Sequence, residues 1–131
     1  MRAVVDTNIL VSALLGSASP PAAVVRGIAE RRLTPVVCRA VVEEYAEVLR
    51  RRRFRFPTAD VDELLTLMSQ QATWVAVPAY SGEPVLPDPA DWPFVACALA
   101  VGCPVVTGNA RHFPKATGVR VMTAREWVDQ E

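Results

Sequence analysis

One lysine (Lys115), one histidine (His112) and three cysteines (Cys38, Cys97, Cys103) are all that the 131 residues carry of these types. So few and so scattered cysteines exclude a disulfide scaffold and a four-cysteine zinc site. They fit a reducing compartment, as small buried hydrophobes. Histidine and cysteine are therefore not well placed for zinc. Charge of one sign is also missing: 14 basic and 14 acidic side chains give a formal net charge of zero. That excludes a uniformly basic nucleic-acid coat while leaving room for a local basic patch. The apolar run Trp92–Thr107 is broken by Pro93, Gly102 and Pro104, and it falls short of the roughly 18–20 residues that span a bilayer. The apolar start after Arg2 is interrupted at Asp6, unlike a signal peptide. A cytoplasmic protein without membrane contact is the expectation. No repeat, low-complexity segment or linker appears, so residues 1–131 are expected to form one domain.

What is present is an alternation of strand-like and helix-like segments, which predicts an α/β fold with a parallel or mostly parallel sheet. The strands expected are Arg2–Val5, Val36–Cys38, Trp74–Val77, Pro104–Thr107 and Val119–Met122. The helices expected are Asn8–Leu15, Pro21 to about Arg32, Val41–Arg51, Asp60–Gln70, Asp91 to about Val101, and a final one opened by Thr123 and Glu126 as a capping box. Asp60 and Glu63 form a similar capping pair, Asp91 is a suitable N-cap, and the Pro/Gly-rich Pro78–Pro89 loop delivers Asp88 and Asp91.

Four polar positions recur at element junctions or on a helix flank. Asp6 follows the first strand, Glu44 flanks the apolar stripe of Val41, Tyr45, Val48 and Leu49, Asp91 opens a helix, and Asn109 follows Val105–Gly108. In open parallel sheets functional groups gather outside the carboxyl ends of the strands. Asp6 and Asn109 share that crevice if their strands are neighbours, and Glu44 and Asp91 can reach it from the surrounding helices. Carboxylates clustered without matching lysines repel one another unless a hard divalent cation lies between them, and Mg²⁺ or Mn²⁺ prefers oxygen ligands. Each residue taken singly has a plainer reading. Asp6-Thr7-Asn8 can be a helix-capping turn, Glu44 a solvated helix acid, Asp91 an N-cap and Asn109 turn chemistry.

Taken together, Val4-Val5-Asp6-Thr7-Asn8, Val42-Glu43-Glu44-Tyr45 with Val48-Leu49, Asp88-Pro89-Ala90-Asp91 and Val106-Thr107-Gly108-Asn109 resemble the PIN domain. More narrowly, they resemble the toxin components of bacterial toxin–antitoxin modules (VapC-like). The resemblance implies a three-layer α/β/α sandwich with a central parallel sheet and a Mg²⁺- or Mn²⁺-dependent endoribonuclease. It also implies an RNA substrate, a cognate antitoxin and a homodimer. By position Asp6, Glu44 and Asp91 match the family's acids and metal ligands. Thr7 and Asn8 match the polar residues supporting the first acid, Asp88 belongs to the third motif, and Thr107 matches the hydroxyl before the last site. Two departures stand out: the fourth acidic position is Asn109, and Trp92 follows Asp91 where many relatives carry another aspartate. Fewer charges weaken cation binding. They keep open an alternative, a catalytically weak module that binds RNA or a partner protein.

Arg50-Arg51-Arg52-Arg53-Phe54-Arg55 is the one strong charge run. Arg51, Arg52, Arg53 and Arg55 can contact RNA phosphates beside a stacking Phe54 or Phe56, or the carboxylates of an acidic partner. They can equally be a solvated helix end.

Overall fold

A computed structural model describes residues 1–131. Its five strands are β1 (Arg2–Val5), β2 (Thr34–Val37), β3 (Thr73–Trp74), β4 (Val105–Val106) and β5 (Val121–Met122). All pair in parallel, in the order β3-β2-β1-β4-β5. The helices are α1 (Thr7–Leu15), α2 (Pro20–Ala29), α3 (Arg39–Leu49), α4 (Thr58–Gln71), α5 (Trp92–Val101) and α6 (Ala124–Gln130). The parallel sheet is the one that the alternating pattern leads one to expect, and the α/β/α arrangement is the one that the resemblance implies.

The three inner strands β2, β1 and β4 are rich in valine because helices cover both faces of a parallel sheet. Ala3, Val4, Val5, Val36, Val37, Val105 and Val106 are all fully buried. β1 is central, with Val4 and Val5 opposite Val105 and Val106, while Arg2 and Ala3 lie opposite Thr34 and Pro35. α5 packs against β1, β2 and β4, and α2 packs against α1, α4 and α6. The α2–α6 contact explains a glycine: a Cβ on Gly27 would stand 2.3 Å from Cη2 of buried Trp127. No single helix is long and apolar enough to cross a membrane.

Local chemistry sets most of the element ends. Ser19 caps α2 by accepting from Ala22 N–H, with prolines in the first turn, and Thr123 and Glu126 form the expected capping box of α6. Two expected caps are not formed. α4 starts at Thr58 behind Pro57, so Asp60 lies inside its first turn and makes no cap with Glu63. The short 3₁₀ turn Pro89–Asp91 is capped by Asp88, whose carboxylate accepts from Ala90 N–H at 2.9 Å, while the Asp91 side chain caps nothing. α2 ends at Ala29 rather than near Arg32, because the chain turns through Arg31 at φ 62° and both Arg32 and Leu33 N–H return to the Gly27 carbonyl.

The strand order fixes where a site can lie. The chain winds outward from β1 through β2 to β3, then returns to place β4 on the opposite side of β1. The connections that leave the carboxyl ends of the paired strands β1 and β4 therefore part at the crevice that such a reversal opens.

Candidate active site

Asp6 leaves β1 at that crevice, and its N–H extends the sheet by donating to the Val106 carbonyl at 2.9 Å. The residue is only 7% exposed. Thr107, at the end of β4, donates its hydroxyl to Asp6 Oδ2 at 2.7 Å and accepts from Asn109 N–H at 2.9 Å. One buried hydroxyl thus joins the first acid to the turn that follows β4. Asn8 adds a second link across the two strand ends, accepting from Gly108 N–H at 3.2 Å.

Glu44 reaches the same place from α3. Thr7 donates its hydroxyl to Glu44 Oε2 at 2.5 Å. The next residue fastens α3 to the sheet: the buried Tyr45 hydroxyl donates to the Val5 carbonyl at 2.5 Å. Glu43 and Glu47, one residue before and three after Glu44, stay exposed. Asp91, 8% exposed, sits at the entry of α5.

The electrostatics show that these acids feel one another. Burial raises the Asp6 carboxyl above its ordinary value, against the Thr107 hydrogen bond. Burial also raises Glu44, with Asp6 and Asp88 adding repulsion. Asp91 is pushed from 3.8 to about 6, first by burial and then by Asp6, with His112 pulling the other way. Its Oδ2 is a buried oxygen with no hydrogen-bond partner. His112 Nδ1 stands 3.0 Å from that oxygen, but the ring is not aligned to donate to it. No lysine or arginine forms an ion pair with Asp6, Glu44 or Asp91.

A divalent cation fits this donor set chemically: three mutually repelling carboxylates, an orphaned buried oxygen, and threonine hydroxyls that fix Asp6 and Glu44 in place. The acidic, imidazole and thiol side chains nowhere form a group of three or more already arranged to hold a metal ion.

Eight of the residues singled out in the sequence meet here: Asp6, Thr7, Asn8, Glu44 and Thr107 through hydrogen bonds, Asp88 and Asp91 through charge, and Asn109 through its backbone. The arginines do not join them. Arg50 pairs with Asp62 and Arg51 with Glu47, the latter through both Nε and Nη2. Only Arg51 extends its charge to Glu44. Arg52, Arg53 and Arg55 form no ion pair, and Arg53 lies over Phe54, itself stacked on Phe56 at 5.2 Å. The sequence reading missed His112. It stands on the 3₁₀ turn Ala110–His112, and buried Phe113 next to it anchors the turn. Being the chain's one histidine, four residues past Gly108, was the available signal.

A family model described as PIN domain matches residues 2–111. No curated protein and no solved structure matches the chain. PIN domains are generally nucleases and typically use divalent metals.

Proposed function

The chain belongs to the PIN-domain family, and from that premise we propose that it is a Mg²⁺- or Mn²⁺-dependent endoribonuclease hydrolysing RNA phosphodiesters. The observation carrying this reading is the set of three carboxylates, from β1, α3 and α5, that repel one another with no lysine or arginine paired to them. Asp6, Glu44 and Asp91 are the residues that would hold the cation. Bound there, it would supply activation of water and neutralisation of charge on the phosphodiester.

The chain's own residues set the stage. Thr107 fixes one carboxylate oxygen of Asp6 and Thr7 one of Glu44, so that both side chains are oriented before anything binds. Asn8 and Thr107 hold the turn carrying Asn109 against the end of β1, where its amide can orient water. Arg52, Arg53 and Arg55 are free to take phosphates, beside a Phe54–Phe56 pair on which a base can stack. A role as the toxin of a toxin–antitoxin module, with a cognate antitoxin and a homodimeric assembly, belongs to the same proposal.

Cleavage of a labelled single-stranded RNA under Mn²⁺ titration tests it. Asp6→Asn, Glu44→Gln and Asp91→Asn should each lower the rate by more than about a hundredfold, beyond the 10–100-fold of a lost outer-shell partner. An Asp91→Asn protein that cleaves at the parent rate would show that the three acids do not share one ion. The open geometry of the cluster favours one second reading, a weakly catalytic RNA-binding module. RNA retention without cleavage at saturating Mn²⁺ would establish that instead.

A further inference from the structure

The donor nearest the orphaned oxygen of Asp91 is a nitrogen. Nδ1 of His112 is 3.0 Å from Oδ2 of Asp91, a residue that is itself only 8% exposed. That oxygen is fully shielded and accepts no hydrogen bond. A 3.0 Å approach without hydrogen-bond alignment has another natural origin. Two side chains that would share one divalent cation also come this close together. The backbone turn that carries the imidazole is also held in place. The His112 N–H donates to the Asn109 carbonyl at 3.1 Å, Phe113 N–H donates to the Ala110 carbonyl at 3.0 Å, and the Phe113 ring is buried. Asn109, by contrast, makes no side-chain hydrogen bond; only its backbone is engaged, its N–H by Thr107 and its carbonyl by His112 N–H.

We propose that His112 is a ligand of the cation site, binding the same divalent ion as Asp91 and giving the site a mixed oxygen–nitrogen donor set. This rests on the reading of Asp6, Glu44 and Asp91 as cation ligands and deepens it. A site of carboxylates alone suits Mg²⁺, whereas imidazole is a donor for first-row transition-metal dications. His112 therefore makes the site selective for a transition-metal dication, Mn²⁺ being the probe, over Mg²⁺. It supplies from three residues downstream a donor that the uncharged Asn109 does not.

Pulsed electron paramagnetic resonance on the full-length chain loaded with Mn²⁺ tests this directly, because a coordinated imidazole gives a nitrogen hyperfine coupling that an outer-sphere one does not. The parent should show that coupling, and His112→Ala and His112→Asn should both lose it. Calorimetry should find Mn²⁺ affinity lowered about tenfold or more in His112→Ala, with Mg²⁺ affinity changed by less than about threefold. The side chain is 41% exposed, so alanine leaves the core untouched. The parent spectrum decides whatever the variants do. If the parent binds Mn²⁺, loses it on Asp6→Asn and shows no nitrogen coupling, His112 is only an ion-pair partner of Asp91 and the inference falls alone. His112→Ala binding Mn²⁺ as tightly as the parent would overturn it in the same way. If the parent takes up no Mn²⁺, the reading of the acids as cation ligands fails, and this inference with it.

Discussion

Replacing Asp91 with asparagine should stabilise the metal-free protein at neutral pH while abolishing its activity. The Asp91 carboxyl titrates at about 6 in the folded chain against 3.8 ordinarily, because burial and the Asp6 charge oppose its ionised form. Each pH unit corresponds to 1.36 kcal/mol, so holding this carboxylate ionised at pH 7 costs the apo fold about 3 kcal/mol. The sign follows from proton counting. Between about pH 4 and pH 6 the folded state keeps a proton that the unfolded state has released, so stability falls as pH rises through that window. Above pH 6 the whole cost is present. Asparagine removes the charge but leaves a buried amide incompletely paired, at about 1 kcal/mol. The net gain at pH 7 should then be about 2 kcal/mol, and the fall between pH 4 and pH 6 should become shallower. Asp6 and Glu44, also raised by burial, keep part of the slope. Urea unfolding in the presence of a chelator, at pH values from about 4 to about 8, measures both effects. A variant no more stable than the parent at pH 7, with an unchanged slope, would refute the claim that the ionised Asp91 burdens the metal-free fold. A gain in stability with loss of cleavage is the trade expected where a site is kept ready for a cation.

Three further outcomes follow from particular contacts. Thr107→Val deletes the donor to Asp6 and the acceptor for Asn109 N–H; urea melts should find a loss of about 1–3 kcal/mol, and Thr107→Ser should recover most of it. Gly27→Ala drives a methyl into Trp127 at 2.3 Å; the same assay should show about 1–3 kcal/mol of destabilisation, and a neutral result would mean that the α2–α6 contact opens freely. Mutating Arg52, Arg53 and Arg55 together to alanine should reduce the salt slope of RNA binding by about 0.7 for each phosphate no longer neutralised, whereas Arg51→Ala, already held by Glu47, should reduce it less.

Much of this arrangement is legible in the amino-acid sequence, and the parts that are not have definite causes. The β1 and β4 segments are short runs of valine that end at a polar residue, and a parallel sheet buries such runs on both faces. Their position is therefore fixed by hydrophobicity alone. Glu44 is chosen over Glu43 because it directly precedes Tyr45 and the Val48–Leu49 pair; it lies on the flank of the Val41–Tyr45–Val48 stripe, and α3 does turn Glu43 and Glu47 to solvent. Misreadings arise where one residue type serves two chemistries. An aspartate before a helix is usually a cap, yet at the entry of α5 the cap belongs to Asp88 on the preceding 3₁₀ turn. That leaves Asp91 free of backbone duty, its Oδ2 unpaired. Its freedom from capping is what the proposed cation role requires, and nothing in Asp-Pro-Ala-Asp distinguishes the two aspartates by pattern. His112 is illegible for a related reason. The segment Ala110–Thr117 has no period of 2 or 3.6, and its shape depends on burying Phe113. Only that tertiary contact tells which side of the turn faces Asp91. The arginine run shows the same limit from the other side. Composition singles out six residues within which Arg50 and Arg51 are neutralised by Asp62 and Glu47. A nucleic-acid surface here must be read from what remains unpaired, not from the length of the basic string.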